Sequence, residues 1–144
     1  MESLTGCYFD TSVLVPLVVR EAVTDRALRF VESHPDNLVL SDFGVAEFSS
    51  ATARLVRTEK LTADEGRAAL DTFDVWVAHT TDQHRVGSVD IAAATTFLRR
   101  LDLALRTPDA IHIAIAERLG ATLVTFDRRM AANAEALGIA VATP

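Results

Sequence analysis

The segment from Thr107 to Arg129 limits the possible folds most, because it combines a helix, a tight turn and a buried strand. Thr107 is a good N-cap residue, and Pro108 suits the first helical position. Gly120 suits the left-handed conformation that commonly follows the last helical turn. The sequence therefore predicts a helix from Pro108 to Leu119 with a sharp turn after it.

The residues after this turn predict a strand that ends in a carboxylate. Ala121 to Phe126 is a short apolar run with β-branched residues, which is typical of a strand covered on both faces. Asp127 follows this strand, and Asp109 lies at the start of the preceding helix. In parallel α/β sheets, ligands bind at the carboxyl ends of strands and at the helix N-termini that follow them. If the rest of the chain forms such a sheet, both carboxylates lie at the same edge.

The first third of the chain repeats this arrangement twice. The predicted strand from Gly6 to Phe9 is followed directly by Asp10. The predicted strand from Leu38 to Leu40 is followed by a helix that reaches about Arg57 and carries Glu47 in its early part. Four strand-to-helix junctions thus deliver one acid each.

The remaining segments predict helices and one more strand. The apolar segment Val13 to Val19 contains Pro16, which fits only a first helical turn or a break. Trp76 to Thr80 continues a helical pattern but also suits a short strand, since Trp, Val and Thr favour strands. Predicted N-caps are Thr24, Ser41 or Asp42, Thr62 (a capping box with Glu65) and Ser88. The other predicted elements are helices from about Asp25 to Ser33, from Ser88 to Arg100 with Ile91, Ala92, Thr95 and Leu98 inward, and from Arg128 to Leu137, and a strand from Ile139 to Ala142.

Together these elements predict one α/β domain over residues 1–144, with a central parallel sheet of about four to five strands flanked by helices. With 144 residues, 49% of them hydrophobic, the chain can bury a substantial core. No apolar run is long enough to span a membrane, and no secretory signal is evident. The one cysteine, Cys7, is expected to be a buried structural residue. A chain without an intrachain disulfide suits the cytoplasm.

Four carboxylates in one crevice repel one another, so either their pKa values rise or a divalent cation neutralises them. Oxygen ligands favour Mg²⁺ or Mn²⁺ over zinc, and the four histidines are not spaced for zinc. Each acid also has an ordinary structural explanation. Asp10 and Asp127 can be helix caps, Asp109 a first-turn acid and Glu47 an exposed glutamate. His112 lies beside the predicted site but is flanked by isoleucines, which favours a packed core histidine.

The four junctions carry motifs that resemble a known family. F-D-T-S at 9–12, the glutamate in the helix after the second strand, T-P-D-A-I-H-I-A at 107–114 and T-F-D at 125–127 resemble the PIN domain, specifically the VapC-like toxins of bacterial toxin–antitoxin pairs. The resemblance follows nearly the whole chain in order and length. Only the region from Lys60 to Ser88 matches nothing specific, which leaves substrate choice open.

The resemblance implies a Mg²⁺- or Mn²⁺-dependent endoribonuclease, commonly a homodimer, that a small cognate antitoxin inhibits. On the family pattern Asp10, Glu47, Asp109 and Asp127 match the acidic metal-binding site, and Thr11 or Ser12 and Thr125 match the supporting hydroxyl residues. The implied chemistry is hydrolysis of an RNA phosphodiester by a metal-activated water. Asp10 and Asp109 are the first choice as direct ligands, with Glu47 and Asp127 completing the set directly or through water.

Two other functions stay open from sequence alone. A phosphoaspartate phosphatase or receiver-like domain also places an aspartate at a strand end, although the Asp10-Thr11-Ser12 segment lacks the second aspartate of the usual phosphatase pattern. A non-catalytic binding module of the same fold is the other alternative, and the intact set of four acids argues against it. The formal net charge of -6 argues against a nucleic-acid partner unless arginines are clustered locally. Arg54, seven residues after Glu47 on the same helix face, is the candidate contact to RNA or antitoxin.

Overall fold

The computed structural model describes residues 6–35 and 37–144. The first five residues of the predicted 1–144 domain, and Asp36, lie outside the described residues. The described strands are β1 (Cys7–Phe9), β2 (Leu38–Ser41), β3 (Asp82–His84), β4 (Thr122–Val124) and β5 (Val141–Ala142). The described helices are α1 (Thr11–Val18), α2 (Thr24–Ser33), α3 (Asp42–Arg57), α4 (Ala63–Thr80), α5 (Ser88–Leu98), α6 (Thr107–Leu119) and α7 (Arg128–Ala136).

The five strands form one parallel sheet in the order β3-β2-β1-β4-β5. The central strand β1 pairs with β2, where Tyr8 faces Val39, and with β4, where Tyr8 faces Leu123. The predicted α/β class and the parallel sheet of about four to five strands are therefore confirmed. Because all strands run the same way, the carboxyl ends of β1, β2 and β4 meet at one edge.

Helices cover both faces of the sheet, and alternate residues of each strand point to opposite faces. Tyr8, Val39 and Leu123 pack with α5, α6 and α7 on one face. Cys7, Phe9, Leu38, Leu40 and Val124 pack with α1 to α4 on the other. Cys7 is buried, as expected, and has no disulfide partner. This two-sided burial explains why the segments of β1, β2 and β4 are continuous apolar runs.

The helix ends agree with the sequence where a side chain or glycine controls them. Gly120 ends α6 in the left-handed region at φ 60°. Ser41 caps α3 by accepting a hydrogen bond from the Gly44 N–H. Thr62 and Glu65 form the predicted capping box of α4.

Other predicted boundaries are wrong by one or a few residues. Thr107 is the first residue of α6 and not its cap, because Arg106 occupies the cap position. Thr24 and Ser88 are likewise the first helical residues of α2 and α5 and not their caps. Pro16 lies inside α1, although the sequence predicted a first helical turn or a break there. The predicted strands 121–126 and 139–142 are shorter in the structure, and the predicted helices to Arg100 and Leu137 end at Leu98 and Ala136.

The middle of the chain holds the main error in the predicted elements. Trp76 to Thr80 is the last part of helix α4, so the alternative of a strand there is wrong. The third strand is Asp82–His84, a polar segment at the sheet edge. The sequence did not predict it, because it has no apolar pattern. Of the part of the chain that the structure describes, no helix is both long and apolar enough to cross a membrane.

Helix α5 packs against α6 through a buried acid that the hydrophobic pattern did not predict. Asp90 is 1% exposed and accepts two hydrogen bonds from the Arg118 guanidinium, at 2.7 and 3.1 Å, and one from the Gly87 N–H. Arg118 and Gly87 hold the pKa of Asp90 below its usual value, although burial on its own would raise it. The inward face of α5 therefore carries Asp90 and Ala94, and the predicted inward residues Ile91, Ala92 and Thr95 are exposed.

We expect Asp90→Ala to lower the free energy of unfolding by about 2 kcal/mol. The cost falls below that of a fully buried pair because Arg118 is 34% exposed and regains water when its partner is removed. Urea unfolding at neutral pH measures the loss. Asp64→Ala, which breaks an exposed ion pair with Arg67, is the control and should change stability much less. Equal losses in the two variants would show that the α5–α6 contact does not depend on the buried pair.

Candidate active site

The four predicted acids lie along the carboxyl edge of the sheet. Asp10 follows β1 and Asp127 follows β4. Glu47 lies in the second turn of α3, which starts directly after β2, and Asp109 lies in the first turn of α6. Parallel pairing of β2, β1 and β4 brings Asp10, Asp127 and the start of α3 to one edge. Asp109, at the start of α6, lies within reach of the charge of Asp127 at that edge.

Asp10 lies at the centre of a hydroxyl network. Its side chain is buried, with 5% exposed. The Ser12 hydroxyl donates to Oδ1 at 2.6 Å, and the Thr125 hydroxyl donates to Oδ2 at 3.0 Å. The same two hydroxyls accept hydrogen bonds from the backbone N–H groups of Phe126 and Asp127. The network therefore joins the ends of β1 and β4, and it fixes both oxygens of Asp10.

Burial raises the pKa of Asp10 from 3.8 to about 6, and Asp127 adds to the increase. Hydrogen bonds from Ser12 and Thr125, and the interaction with His112, offset only part of it. Asp10 does not act as a side-chain cap of α1, which rules out its ordinary structural explanation. No ion pair among the described residues includes Asp10. Asp10 is therefore a buried carboxyl group without an ion-pair partner among the described residues.

Glu47 is held by two donors on one oxygen. The Thr11 hydroxyl donates to Oε1 at 2.9 Å, and His112 Nε2 also contacts Oε1. Burial on its own would raise the pKa of Glu47, but the bonds from His112 and Thr11 and the charge of Arg106 hold it below its usual value. His112 is buried, as its isoleucine neighbours suggested, yet it also contacts the site directly. The two explanations of His112 that the sequence left open are thus compatible.

Asp109 faces an arginine that the sequence pattern did not single out. Arg106 Nε donates to Asp109 Oδ2 at 3.2 Å, from a side chain that is 68% exposed. Burial raises the pKa of Asp109, and Arg106 offsets part of the rise while Asp127 adds to it. Arg106 also lowers the pKa of Glu47, so its guanidinium lies within electrostatic reach of two of the four acids. The spacing of three residues before Asp109 on a helix was the available sequence signal.

Asp127 is a helix cap, which is the structural role that the sequence predicted, and it uses only one carboxylate oxygen for it. Its Oδ1 caps α7 by accepting hydrogen bonds from the N–H groups of Arg129 and Met130. Asp127 influences the pKa values of both Asp10 and Asp109 through its charge. The cap thus fixes a charged group beside two other acids.

Three of the four acids leave one carboxylate oxygen open. Within the described ranges, Glu47 Oε2, Asp109 Oδ1 and Asp127 Oδ2 accept no hydrogen bond. No buried side-chain nitrogen or oxygen of the described residues lacks a partner, so solvent reaches these three oxygens. Each acid is therefore anchored by one oxygen and presents the other to the space at the sheet edge.

Two further observations concern metal binding by the site and the position of Arg54. Among residues 6–35 and 37–144, no three His, Cys, Asp or Glu side chains lie close enough together to hold one metal ion in their present positions. Arg54 lies in the last turn of α3, exposed to solvent, and makes no ion pair within the described part of the chain. The side chain of Arg54 is not part of the hydrogen-bond network around the acids.

The sequence matches the PIN domain over residues 7–136. The chain belongs to the PIN-domain family. The resemblance drawn from the four motifs is therefore confirmed, and this PIN domain is of the VapC-like type. Ribonuclease VapC46 of Mycobacterium tuberculosis is 35% identical over 147 aligned residues, which cover 98% of this chain and 99% of that protein. Ribonuclease VapC35 of the same species is 31% identical, with coverage of 95% and 96%.

Solved structures share the fold of this PIN domain at much lower identity. The crystal structure of Mycobacterium tuberculosis VapC20, described as a sarcin-ricin loop cleaving toxin, aligns with a TM-score of 0.70 and 19% identity, covering 88% of this chain and 94% of that one. The DNA-bound VapBC of Salmonella typhimurium aligns with a TM-score of 0.74 and 13% identity, covering 97% and 98%. These similarities confirm the fold.

Without metal, we expect Asp109→Asn to become more stable relative to wild type as the pH rises. The raised pKa of Asp109 means that the folded state holds more protons, so this group lowers stability as pH increases from its unfolded value through its folded one. Asparagine keeps an oxygen for Arg106 and removes the charge. Its loss of interaction with the helix N-terminus costs roughly 0.3 to 1 kcal/mol at all pH values where Asp109 is charged.

Thermal melts from pH 4 to pH 8 in EDTA measure this difference. Mg²⁺ at a hundred times its dissociation constant should then stabilise wild type by about 2.7 kcal/mol and the variant much less. A variant that is clearly less stable than wild type at pH 8 in EDTA, or one that gains equally from Mg²⁺, would mean that Asp109 has only a structural role.

Proposed function

We propose that this PIN domain is a metal-dependent endoribonuclease, the toxin of a VapC-type toxin–antitoxin pair. The observation that carries the proposal is Asp10, a buried carboxyl group without a basic partner among the described residues, in a hydroxyl network at the sheet edge. Three neighbouring acids each present one open oxygen there. A cation is the partner that such a group of acids lacks.

The donor set fits Mg²⁺ or Mn²⁺. All the available atoms are carboxylate oxygens, which are the ligands that these hard cations prefer. Mg²⁺ is usually bound by one or two carboxylates and keeps several waters, so it does not require a closed set of three protein ligands. Asp10 and Asp109, whose pKa values are raised mainly by burial, are the proposed direct ligands. Glu47 and Asp127 are the proposed partners for the waters.

The proposed reaction is hydrolysis of an RNA phosphodiester bond. When bound, the cation supplies polarisation of the scissile phosphate and makes water a better nucleophile. Ser12 and Thr125 hold the carboxyl group of Asp10 in a fixed orientation. Glu47 and Asp127 offer Oε2 and Oδ2 as acceptors that can orient the attacking water. Arg106 places a positive charge beside the acids, where the phosphate of a substrate has to bind.

The proposed partners follow from the relatives. VapC46 and VapC35 are named as ribonucleases, and VapC20 is described as cleaving the sarcin-ricin loop. The Salmonella structure is a VapBC complex. We therefore propose an RNA substrate and a small cognate antitoxin for this chain. The family resemblance adds the proposal of a homodimer, and the absence of a possible intrachain disulfide adds that of a cytoplasmic site of action.

We expect the purified protein, free of antitoxin, to cleave single-stranded or loop RNA only when Mg²⁺ or Mn²⁺ is present. Gel analysis of a pool of structured RNAs with Mg²⁺, with Mn²⁺ and with EDTA measures this. Asp10→Asn should reduce cleavage at least 100-fold, because outer contacts to a metal already account for 10- to 100-fold and Asp10 is a proposed direct ligand. Asp102→Asn, at an exposed aspartate paired with Arg100, is the matched control.

This assay, a phosphate-release assay on a small phosphate ester and an antitoxin-binding measurement together distinguish the candidate functions. Cleavage that continues unchanged in excess EDTA would falsify the metal-dependent mechanism. Release of inorganic phosphate from a small phosphate ester, together with intact RNA, would indicate the phosphoaspartate alternative. If every RNA in the pool stays intact and the protein still binds its antitoxin, the chain is a binding module.

The role of Arg54 stays a prediction and is tested separately. We expect Arg54→Ala to weaken binding of single-stranded RNA to the cleavage-deficient Asp10→Asn protein and to lower the slope of log affinity against log salt by about 0.7, the value for one phosphate contact. Arg29→Ala, at another exposed helical arginine, is the control. Fluorescence anisotropy at several salt concentrations measures both variants. If RNA affinity and antitoxin affinity are both unchanged, Arg54 is only a solvated surface residue.

A further inference from the structure

A buried hydrogen-bond chain leads from the sheet to Glu47. The Gly44 N–H donates to Ser41 Oγ at 3.0 Å, and Ser41 Oγ lies 2.7 Å from the Tyr8 hydroxyl. The Tyr8 hydroxyl lies 2.7 Å from His112 Nδ1, and His112 Nε2 contacts Glu47 Oε1. The chain begins and ends in helix α3, and it passes through β2, β1 and α6 on the way.

The partners determine which way the last hydrogen bond points. A carboxylate oxygen only accepts, so the hydrogen between His112 and Glu47 belongs to Nε2. In a neutral imidazole Nδ1 then accepts from Tyr8, and Tyr8 in turn accepts from Ser41. In an imidazolium Nδ1 donates to Tyr8, and Tyr8 donates to Ser41. In both forms Nε2 donates to Glu47. The neutral imidazole gives every hydrogen of the chain an acceptor, whereas in the imidazolium form the Ser41 hydroxyl hydrogen has none among the described contacts.

Burial fixes the geometry of this chain. Tyr8, Ser41 and His112 are 0%, 1% and 2% exposed. The ring of Phe43 packs against the imidazole, with the centroids 4.9 Å apart. The ring of Tyr8 does so from the sheet side at 5.6 Å. Water cannot take the place of Tyr8 without displacing core side chains, so the imidazole has one orientation.

The chain also determines which oxygen of Glu47 is open. His112 and Thr11 both contact Oε1, and Oε2 has no partner among the described residues. A glutamate in a helix has three flexible side-chain torsions, so an unheld carboxylate samples many positions. Two donors on one oxygen, one of them buried, restrict the carboxylate and direct its other oxygen to the open space.

We propose that His112 is a positioning residue, which Tyr8 holds in orientation, and that its role is to present Glu47 Oε2 to the cation and its waters. This inference rests on the proposed function, since it assigns His112 a task in the same site. Partners of this kind orient the groups around a metal, and their loss commonly costs 10- to 100-fold in metal affinity or activity. If His112 only filled the core, its replacement would lower stability and leave metal binding unchanged.

Two amide variants separate these roles. The side-chain amide of glutamine reaches about as far as His112 Nε2, whereas that of asparagine reaches only as far as Nδ1. His112→Gln therefore keeps a donor for Glu47, and His112→Asn does not. Tyr8→Phe keeps the aromatic ring and removes the hydroxyl that fixes the imidazole. Phe73→Leu, at a buried core residue of α4, is the control for a general loss of stability.

Calorimetric titration with Mn²⁺, and cleavage of an RNA that wild type cleaves, are the measurements. We expect His112→Asn and Tyr8→Phe to weaken Mn²⁺ binding or lower kcat about 10-fold, His112→Gln to lose less than 3-fold, and Phe73→Leu to match wild type. KM for RNA should stay the same, because His112 does not face the substrate. In a Glu47→Gln background, His112→Asn should have no further effect, since His112 acts through Glu47.

The outcomes distinguish this inference from the proposed function. If wild type neither binds Mn²⁺ nor cleaves RNA, the proposed function is wrong, and the inference is wrong with it. If wild type does both and the two amide variants behave alike, or His112→Asn still lowers kcat in the Glu47→Gln background, only the inference is wrong. A crystal structure of His112→Asn in which the Glu47 carboxylate keeps its position also overturns it.

Discussion

The buried carboxyl group of Asp10 is the constraint on which the rest of the site depends. It lies at the end of the central strand, where the sheet and its helices exclude water. Two hydroxyls stabilise the charged form, and burial still raises the pKa of Asp10 to about 6. A carboxyl group in such a place costs stability unless a cation joins it. The fold therefore maintains a buried acid whose charged form a bound cation would stabilise.

The groups that surround Asp10 serve folding and site geometry at the same time. Thr125 bonds Asp10 through its hydroxyl and receives the Asp127 N–H, so it joins β1 to the start of α7. Asp127 caps that helix with one oxygen and leaves the other open. Glu47 likewise divides its two oxygens between an internal contact and the open edge. Because one oxygen is held and the other is open, the carboxylate is fixed in position and can still bind a ligand, as a preorganised site requires.

The sequence predicts the parts of this structure that depend on local pattern. The acids at the strand ends could be predicted because a parallel sheet brings every strand's carboxyl end to one edge. The cap residues Ser41 and Gly120 could be predicted because a serine oxygen can accept a free N–H group at a helix start, and because the left-handed conformation after a helix suits glycine. β3 could not, because it is a polar edge strand of three residues, held by its pairing with β2.

The contacts that the sequence did not predict are mostly between segments far apart in the chain. The bond between Tyr8 and His112 joins residues 104 positions apart. Asp90 lies on the inward face of α5 because Arg118, on another helix, neutralises it. No hydrophobic periodicity in α5 itself distinguishes that face from the exposed one, since alanines lie on both sides and the apolar Val89 and Ile91 are exposed. A buried ion pair of this kind can be predicted only when the relative positions of the two helices are known.

Charge distribution bears on how an acidic chain can bind RNA. The net charge of -6 is an average over the whole sequence, and association with a phosphate depends on charges within about 10 Å at moderate salt. Arg106 precedes Asp109 by one turn, and Arg128 and Arg129 directly follow Asp127. All three arginines are exposed, and the guanidinium group of Arg106 contacts Asp109, so positive charge is available near the acids for the proposed RNA substrate. A cation bound by the acids adds to this positive field and removes the repulsion that they alone exert on phosphate. With a cation bound, the carboxylates that on their own would repel a phosphate would help to attract it.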